Sequence, residues 1–419
     1  MSDNKLKSLL TLPVIVAALG YFVDIYDLLL FSIVRQSSLL SMGVPEAKLL
    51  ETGEFLLRIQ MGGLLLGGLL WGIMGDKRGR LSVLFGSILL YSLANIANGF
   101  ASTVEQYAWL RFIAGIGLAG ELGAGITLVS ETLPKEKRGY GTTIVASFGL
   151  MGAVVANVVS KLTDPHWQIA YFIGGGLGLL LLIARVSILE SGIFLQTKDK
   201  KVERGNVLAL FTNRGRLVRF MGCIFIGLPI WYAIGILITF SPEFARALGI
   251  VEKVKAGDAV MLGYIGLAVG DMISGVASQL LRTRKKVVTT FIFLTLGMVV
   301  LYLFPPVRTV NFFYFTCFMV GVGIGYWALF VTIAAEQFGT NLRSTVATSV
   351  PNFIRGTVIP ITLLFKYLRL EFGDGTPNNP QGVIFGALIV GIITIIIALI
   401  ALRAIEETFG RDLNYEETD

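Results

Sequence analysis

The sequence predicts an all-α membrane protein whose twelve transmembrane helices form two pseudo-symmetric six-helix bundles. Three observations predict this class: the composition, a series of long apolar segments, and a short feature that occurs once in each half. Of the 419 residues, 54% are hydrophobic and 15% are charged, and the mean hydropathy is +0.74. Water-soluble domains do not have so much apolar surface, so we expect lipid to surround most of the chain.

Twelve segments are long and apolar enough to cross a bilayer, which takes about 20 helical residues. They are residues 11–34, 54–75, 81–101, 107–129, 141–162, 167–189, 218–241, 258–281, 287–305, 310–333, 345–368 and 382–403. The longest polar interval lies between the sixth and seventh segments. We therefore expect four parts: an N-terminal bundle (1–189), a cytoplasmic linker (190–217), a C-terminal bundle (218–403) and a cytoplasmic tail (404–419).

The distribution of basic residues predicts the orientation in the membrane. With a cytoplasmic N-terminus, the inner segments hold 22 lysines and arginines and the outer loops hold 6. The positive-inside rule then places both termini and the linker in the cytoplasm, and the short loops fit a bacterial inner membrane. Because the net charge of +7 is spread over these inner loops, it indicates no nucleic-acid partner.

One pair of charged residues recurs in the two halves. Glu131 and Arg138 follow the fourth segment, and Glu336 and Arg343 follow the tenth, 205 residues later. Parallel repeats of this kind occur in transporters that hold a solute between two similar bundles and open to each side in turn. The repeat therefore favours a transporter.

The loop after the second segment carries a recognisable motif. It reads Gly72-Ile-Met-Gly-Asp76-Lys-Arg-Gly79-Arg80, which resembles the G-x-x-x-D-x-x-G-R signature of the major facilitator superfamily. Gly72 allows two helices to approach closely. Asp76 can face the positive N-terminal end of a neighbouring helix, and Arg80 helps to hold the loop on the inner side. The resemblance implies alternating access.

Three further motifs are similar to those of the metabolite/proton symporters, organic-ion carriers and sugar porters of this superfamily. They begin at Glu131, Glu190 and Glu406, so the resemblance covers the whole chain. It implies a conformational role for seven motif residues: Gly72, Asp76, Arg80, Glu131, Arg138, Glu336 and Arg343. The seventh segment lacks the glutamines with which sugar porters bind hydroxyls, and the fifth lacks the Gly-Pro of drug/proton antiporters.

Five ionisable residues are predicted near the middle of the membrane: Asp24, Asp27, Glu121, Asp271 and Arg355. Each costs about 2.5–3.5 kcal/mol to insert, so each needs a partner or a water-filled cavity. Asp24 and Asp27 lie three residues apart on one helical face, and two carboxylates in a low dielectric cannot both stay ionised cheaply. At least one is a candidate for proton coupling; the alternative is an ion pair with Arg35, Arg58 or Arg111.

The other intramembrane charges have two interpretations each. Glu121 is either a further proton-coupling site or the fixed partner of an arginine. The planar guanidinium of Arg355 can bind a carboxylate in bidentate fashion, or it can pair with Asp271 or Glu121. The full set of substrate-binding candidates is Tyr21, Arg111, Tyr232, Asp271, Tyr326, Trp327 and Arg355, although aromatic residues in apolar segments more often only pack.

These observations favour a monomeric secondary active transporter of a small organic solute, an organic anion or carboxylate first, driven by proton symport. A sugar or polyol carrier and a cation or drug exporter are the alternatives within transport. A membrane sensor would usually carry an added cytoplasmic domain. The chain has no clustered nucleophile, Cys/His set or Walker sequence, so we expect no enzyme, cofactor or metal. The expected partners are the solute, protons and the lipid bilayer.

The orientation can be tested with reporter tags. A tag inserted at Lys200 and one at the C-terminus should both report cytoplasm, whereas a tag near Asn378 should report the outside, because the basic residues lie on the inner loops. Alkaline phosphatase and green fluorescent protein fusions provide the measurement. A periplasmic signal at Lys200 would contradict the division into two bundles of six.

Overall fold

The computed structural model describes residues 12–78, 80–121, 135–190 and 209–410. We call residues 12–190 the first half and residues 209–410 the second half. The helices of the first half are α1 (Leu12–Ser41), α2 (Leu49–Arg78), α3 (Arg80–Asn98), α4 (Val104–Leu118), α5 (Lys135–Thr163) and α6 (Trp167–Glu190). A single 3-10 turn, Glu46–Lys48, joins α1 to α2.

The helices of the second half are more often interrupted. They are α7 (Ala209–Thr212), α8 (Arg214–Ile226), α9 (Leu228–Tyr232), α10 (Ser241–Ala247), α11 (Ala256–Leu280), α12 (Arg284–Leu303), α13 (Val310–Gly323), α14 (Trp327–Glu336), α15 (Thr340–Gly356), α16 (Val358–Glu371) and α17 (Pro380–Ala404). A π-helical segment, Ala233–Ile238, continues α9. The chain bends by 41° between α8 and this continuation.

The membrane class predicted from composition is confirmed. Seven of the described helices are long and apolar enough to cross a membrane, and the bent pair Arg214–Ile226 and Leu228–Ile238 makes an eighth when it is taken as one span. The count of twelve stays a prediction. Glu131 and most of the linker lie outside the described residues, as do the side chains of Asp76, Arg80 and Arg138.

Glycines allow close contact between α2 and α4 in the first half and between the corresponding helices, α11 and α13, in the second half. In the first half, a Cβ on Gly115 of α4 would collide with the backbone oxygen of Gln60 in α2. In the second half, a Cβ on Gly321 of α13 would collide with the backbone oxygen of Gly263 in α11. Backbones can approach this closely only where the side chain is absent. The two halves thus use the same packing device.

Residues that follow α17 fasten the helix ends on one side of the second half. Glu407 accepts hydrogen bonds from the hydroxyl of Thr283 (2.6 Å) and from the backbone N–H groups of Arg284 (3.0 Å) and Lys285 (3.1 Å) at the start of α12. Partial burial opposes its ionisation, but these hydrogen bonds outweigh burial and lower the pKa of Glu407 to about 2. Glu407 therefore caps α12.

Glu336, one of the repeated motif residues, joins the same cluster. It accepts a hydrogen bond from Nη2 of Arg284 at 2.7 Å and another from the hydroxyl of Thr408 at 2.7 Å. Arg343 donates to the backbone oxygen of Phe338. The motif that begins at Glu406 thus has a visible structural role, which is to tie the end of α17 to α12 and α14.

Glu407→Ala should lower the free energy of unfolding by about 1 kcal/mol at pH 7, because it removes a helix cap. The pKa of Glu407 is depressed in the fold, so its contribution is present above the unfolded value of about 4.3 and is lost as pH falls towards the folded value. Thermal unfolding of the purified protein should show a deficit that shrinks as the pH falls from about 5 to about 2.

The matched control is Glu371→Ala, which removes an exposed carboxylate at the end of α16. It should leave the melting temperature nearly unchanged. Equal effects of the two substitutions would contradict the capping role of Glu407.

Candidate functional site

A cavity lies between the two halves near the middle of the bundle. It is a small, partly open cavity that is lined from both sides. The lining residues are Tyr21, Ile25, Leu28, Leu150, Ile230, Trp231, Ile234, Tyr264, Leu267, Trp327 and Arg355. Mostly apolar walls with a few polar groups are typical of small-molecule sites.

Local helix geometry explains which side chains reach the cavity. Tyr21, Ile25 and Leu28 share one face of α1, because residues three and four apart are neighbours on a helix. In the second half, the π-helical segment after α9 interrupts the regular turn beside Trp231, and such segments occur often at functional sites. Trp327 stands at the first position of α14, just after the break in the chain that follows α13.

Arg355 is the charged residue of the cavity wall, and it faces Asp24. Its Nη2 lies 3.8 Å from Oδ2 of Asp24, and both side chains are buried. Among the residues that the structure describes, neither carboxylate oxygen of Asp24 has a hydrogen-bond partner, and Nε and Nη1 of Arg355 have none either. The guanidinium also lies 5.6 Å from the ring centre of Trp231. Asp24 and Arg355 therefore attract each other through their charges without a hydrogen bond, and two nitrogens of Arg355 remain unsatisfied in the described part of the chain.

Asp27 points into the first half instead. A Cβ on Gly174 of α6 would touch its Oδ1, and its charge is within reach of Arg111 and Asn95. Arg111 donates to Asn95 Oδ1 at 2.5 Å and to Asn98 Oδ1 at 3.2 Å. Arg111 thus belongs to a buried polar network of the first half and does not line the cavity.

Glu121 forms an ion pair with Arg185 of α6. Both oxygens of Glu121 accept hydrogen bonds from the two terminal nitrogens of Arg185, and both side chains are buried. Of the two interpretations from sequence, this geometry favours a fixed partner over a second proton site. Arg185 was missed because it lies near the predicted end of its segment, where a basic residue usually faces the cytoplasm.

Tyr232 and Tyr326, two of the substrate-binding candidates, lie away from this cavity and are hydrogen-bonded within the second half. The hydroxyl of Tyr232 donates to the backbone oxygen of Ala387 at 2.7 Å, and that of Tyr326 donates to the backbone oxygen of Ile226 at 3.1 Å. Both side chains are buried within the second half. A phenol in an apolar interior needs such a partner, so these two residues pack.

Asp271 also has a different role from the two proposed for it. Its Oδ1 accepts the backbone N–H of Ala328 at 3.0 Å, in the first turn of α14. A carboxylate at a helix N-terminus satisfies a free N–H group and complements the helix dipole. Asp271 therefore caps the broken helix that presents Trp327, and Arg355 pairs with Asp24 instead.

Four ion pairs among the described residues join the halves at one end of the bundle. We call this the Arg35 end; it is where α1 ends at Ser41 and α16 ends at Glu371. The pairs are Arg35–Glu243 (2.7 Å), Arg369–Glu54 (3.3 Å), Lys366–Glu51 (2.6 Å) and Lys161–Asp258. The first two pairs are buried. Arg35 itself lies inside α1 and not in the predicted outer loop.

Comparison with known proteins decides the family. The sequence model described as "Major Facilitator Superfamily" matches residues 15–361. The chain belongs to the Major Facilitator Superfamily. It is a membrane transporter and not an enzyme, as the motifs had predicted.

Individual members of the superfamily show how broad the similarity is. The chain is 25% identical over 373 residues to a probable 4-methylmuconolactone transporter of Cupriavidus pinatubonensis, covering 85% of this chain and 84% of that one. It is also 25% identical to the niacin transporter NiaP of Acinetobacter baylyi, covering 78% and 80%.

Among solved structures, a D-xylose-proton symporter has the same fold. The TM-score is 0.68, with 95% of this chain and 98% of that chain covered and 14% of the residues identical. At this low identity the likeness concerns the fold alone.

The buried pairs at the Arg35 end must separate whenever that end opens. Glu243→Gln leaves Arg35 buried without its counter-charge, which costs about 3–5 kcal/mol and destabilises the closed state. In a variant with Cys223→Ala and Cys317→Ala, a reporter Ser32→Cys beside the pair should then react faster with a hydrophilic maleimide.

The control is Glu51→Gln. It removes the carboxylate of the partly exposed pair with Lys366, which is worth only about 0–1 kcal/mol, so labelling should change little. If both substitutions leave the labelling rate at its original value, the buried pairs do not hold this end closed.

Proposed function

We propose that this transporter is a proton-coupled symporter of small organic acids, and that the substrate carboxylate binds Arg355 in the cavity between the halves. The observation that supports it is the state of Arg355. A buried guanidinium on the cavity wall, with two nitrogens that have no acceptor among the described residues, is suited to an anionic ligand. A planar carboxylate could accept from one of these nitrogens and from Nη2 together, along one edge of the guanidinium.

The walls of the cavity favour a substrate with a ring. Tyr21, Trp231, Tyr264 and Trp327 contribute flat apolar faces, and Trp231 and Trp327 pack edge to face with ring centres 6.2 Å apart. Aromatic faces bind planar apolar groups well. The relatives that transport niacin and 4-methylmuconolactone carry ring compounds in the same fold.

A sugar fits this cavity less well. The described residues that line the cavity include no amide side chain and no carboxylate; their polar groups are two phenols, two indoles and one guanidinium. Discrimination among hydroxylated substrates depends on hydrogen-bonding groups that pair with each hydroxyl. The lining therefore supports an organic acid over a hexose or polyol.

The remaining parts of the proposal concern the membrane. The excess of basic residues on the inner loops supports a bacterial inner-membrane location with the Arg35 end outside. Two bundles with the cavity between them would rock about it. The proton would be taken up by an intramembrane carboxylate, as symport down a proton gradient requires. The protein would act as a monomer.

Uptake into proteoliposomes with an imposed pH gradient provides the test. Labelled benzoate and nicotinate should accumulate in the wild type. Arg355→Lys should raise the KM for both about ten- to a hundredfold, because lysine keeps the charge but loses the bidentate hydrogen bonds. Downhill counterflow should weaken in parallel, since the defect lies in binding.

Arg308→Lys, at an exposed position after α12, is the matched control and should leave the KM unchanged. Accumulation of xylose without any uptake of the two acids would overturn the organic-acid proposal in favour of a sugar carrier.

A further inference from the structure

We infer that Asp24 and the substrate carboxylate compete for Arg355, so that each bound monoanion drives the uptake of one proton by Asp24. This inference rests on the proposed function, which makes the cavity a carboxylate site. It adds which of the two aspartates of α1 carries the proton, how binding and protonation are linked, and how many protons accompany each substrate.

The contact between Asp24 and Arg355 can separate without the loss of a hydrogen bond. The nearest atoms are 3.8 Å apart, beyond hydrogen-bond distance, and neither oxygen of Asp24 has a hydrogen-bond partner. A ligand that approaches Arg355 therefore breaks no hydrogen bond of this pair. By contrast, Glu121 is held by two hydrogen bonds from Arg185 and cannot exchange partners as readily.

Several charged or titratable groups face Asp24 from the helices around it. Its own helix contributes Tyr21 and Asp27, α15 contributes Arg355, α11 contributes Tyr264, α3 contributes Tyr91, and the chain just after α4 contributes Glu121; Asp271 of α11 lies beyond them, near Tyr21. Glu121 is paired with Arg185, and Asp271 with the start of α14. Asp27 has no hydrogen-bond partner among the described residues, but it lies within the electrostatic reach of Arg111. Of the charged side chains that the structure describes, Arg355 is the one that both faces Asp24 and lines the cavity.

Counting charges gives the proton stoichiometry. Without substrate, Asp24 and Arg355 sum to zero. A bound monocarboxylate would leave one uncompensated negative charge in a buried, low-dielectric region, which is strongly unfavourable. Transfer of one proton from solvent to Asp24 restores neutrality, because Arg355 then pairs with the substrate and Asp24 is uncharged. The expected cycle moves one proton with one monoanion and no net charge.

Asp27 is the natural comparison, since it has the same chemistry three residues further along α1. It faces α6 and the network around Arg111, away from Arg355. Its oxygens also lack a hydrogen-bond partner among the described residues, but the cation in its surroundings is Arg111, which a substrate bound at Arg355 leaves in place. Its protonation should therefore not be linked to substrate binding.

Calorimetric titration of the purified transporter with benzoate tests the linkage. Binding is measured from about pH 6 to 9, where benzoate is ionised, in pairs of buffers with different ionisation enthalpies. Wild-type protein should take up about one proton per benzoate wherever Asp24 starts ionised. There its affinity should fall about tenfold for each unit of rising pH. Uncharged benzamide should bind without proton uptake.

The two aspartate variants separate the candidates. Asp24→Asn should bind benzoate with an affinity that is nearly independent of pH and without proton uptake, whereas Asp27→Asn should keep the wild-type proton count. Melting temperatures report whether each variant is folded. Proton uptake that persists in Asp24→Asn, or that disappears only in Asp27→Asn, would overturn the inference.

The outcomes also separate this inference from the function on which it rests. If the wild type binds neither benzoate nor nicotinate, the organic-acid proposal fails and the competition falls with it. If the wild type binds them without proton uptake, only the competition is wrong. A second readout needs no aspartate variant: acid-driven uptake into proteoliposomes should not respond to a potassium diffusion potential, and a clear response would contradict the one-to-one, electroneutral cycle.

Discussion

The central constraint on this fold is that a charge buried in the bundle needs a counter-charge or polar groups to stabilise it. An ion moved from water into the protein interior loses several kcal/mol of solvation even after relaxation. Within the first half, Arg185 offsets this loss for Glu121. Between the halves, Arg35 pairs with Glu243 and Arg369 pairs with Glu54. The positions of these pairs decide which surfaces can separate.

The ion pairs differ in how many hydrogen bonds hold them, and this difference corresponds to their positions in the bundle. At the Arg35 end, Glu243 receives two hydrogen bonds from Arg35 and a third from Gln36, so the contact between halves is well satisfied. In the middle, Asp24 and Arg355 touch only loosely. A firm contact suits a closure that forms and breaks as a unit, and a loose one suits a site where a ligand replaces one partner.

The cavity also depends on breaks in the helices of the second half. The π-helical segment after α9 and the break before α14 bring Trp231 and Trp327 to the wall, and Asp271 satisfies an N–H group that the break leaves free. Interrupted helices at membrane depth are tolerated where they line a cavity and their backbone groups are satisfied. The first half lines the cavity with α1 and α5, which are continuous helices.

The sequence by itself determined the membrane class, the family and the transporter function. A lipid environment requires an apolar composition and long helices, and both can be recognised in short stretches of sequence. The motif from Gly72 to Arg80 can be recognised because its residues have a fixed spacing along the chain. It also marked Asp24, Asp27, Glu121 and Arg355 as buried charges, because an ionisable residue in the middle of an apolar segment is conspicuous.

Only the tertiary structure decided which charges are partners. Arg185, Glu54 and Arg369 lie near segment ends, where a charge is ordinarily solvated, so nothing local distinguishes a buried pair from a surface residue. Asp24 and Asp27 have the same local sequence signature, yet one faces the second half and the other faces α6. That difference depends on how distant helices pack, because an ion pair joins residues by distance in space and not by spacing along the chain.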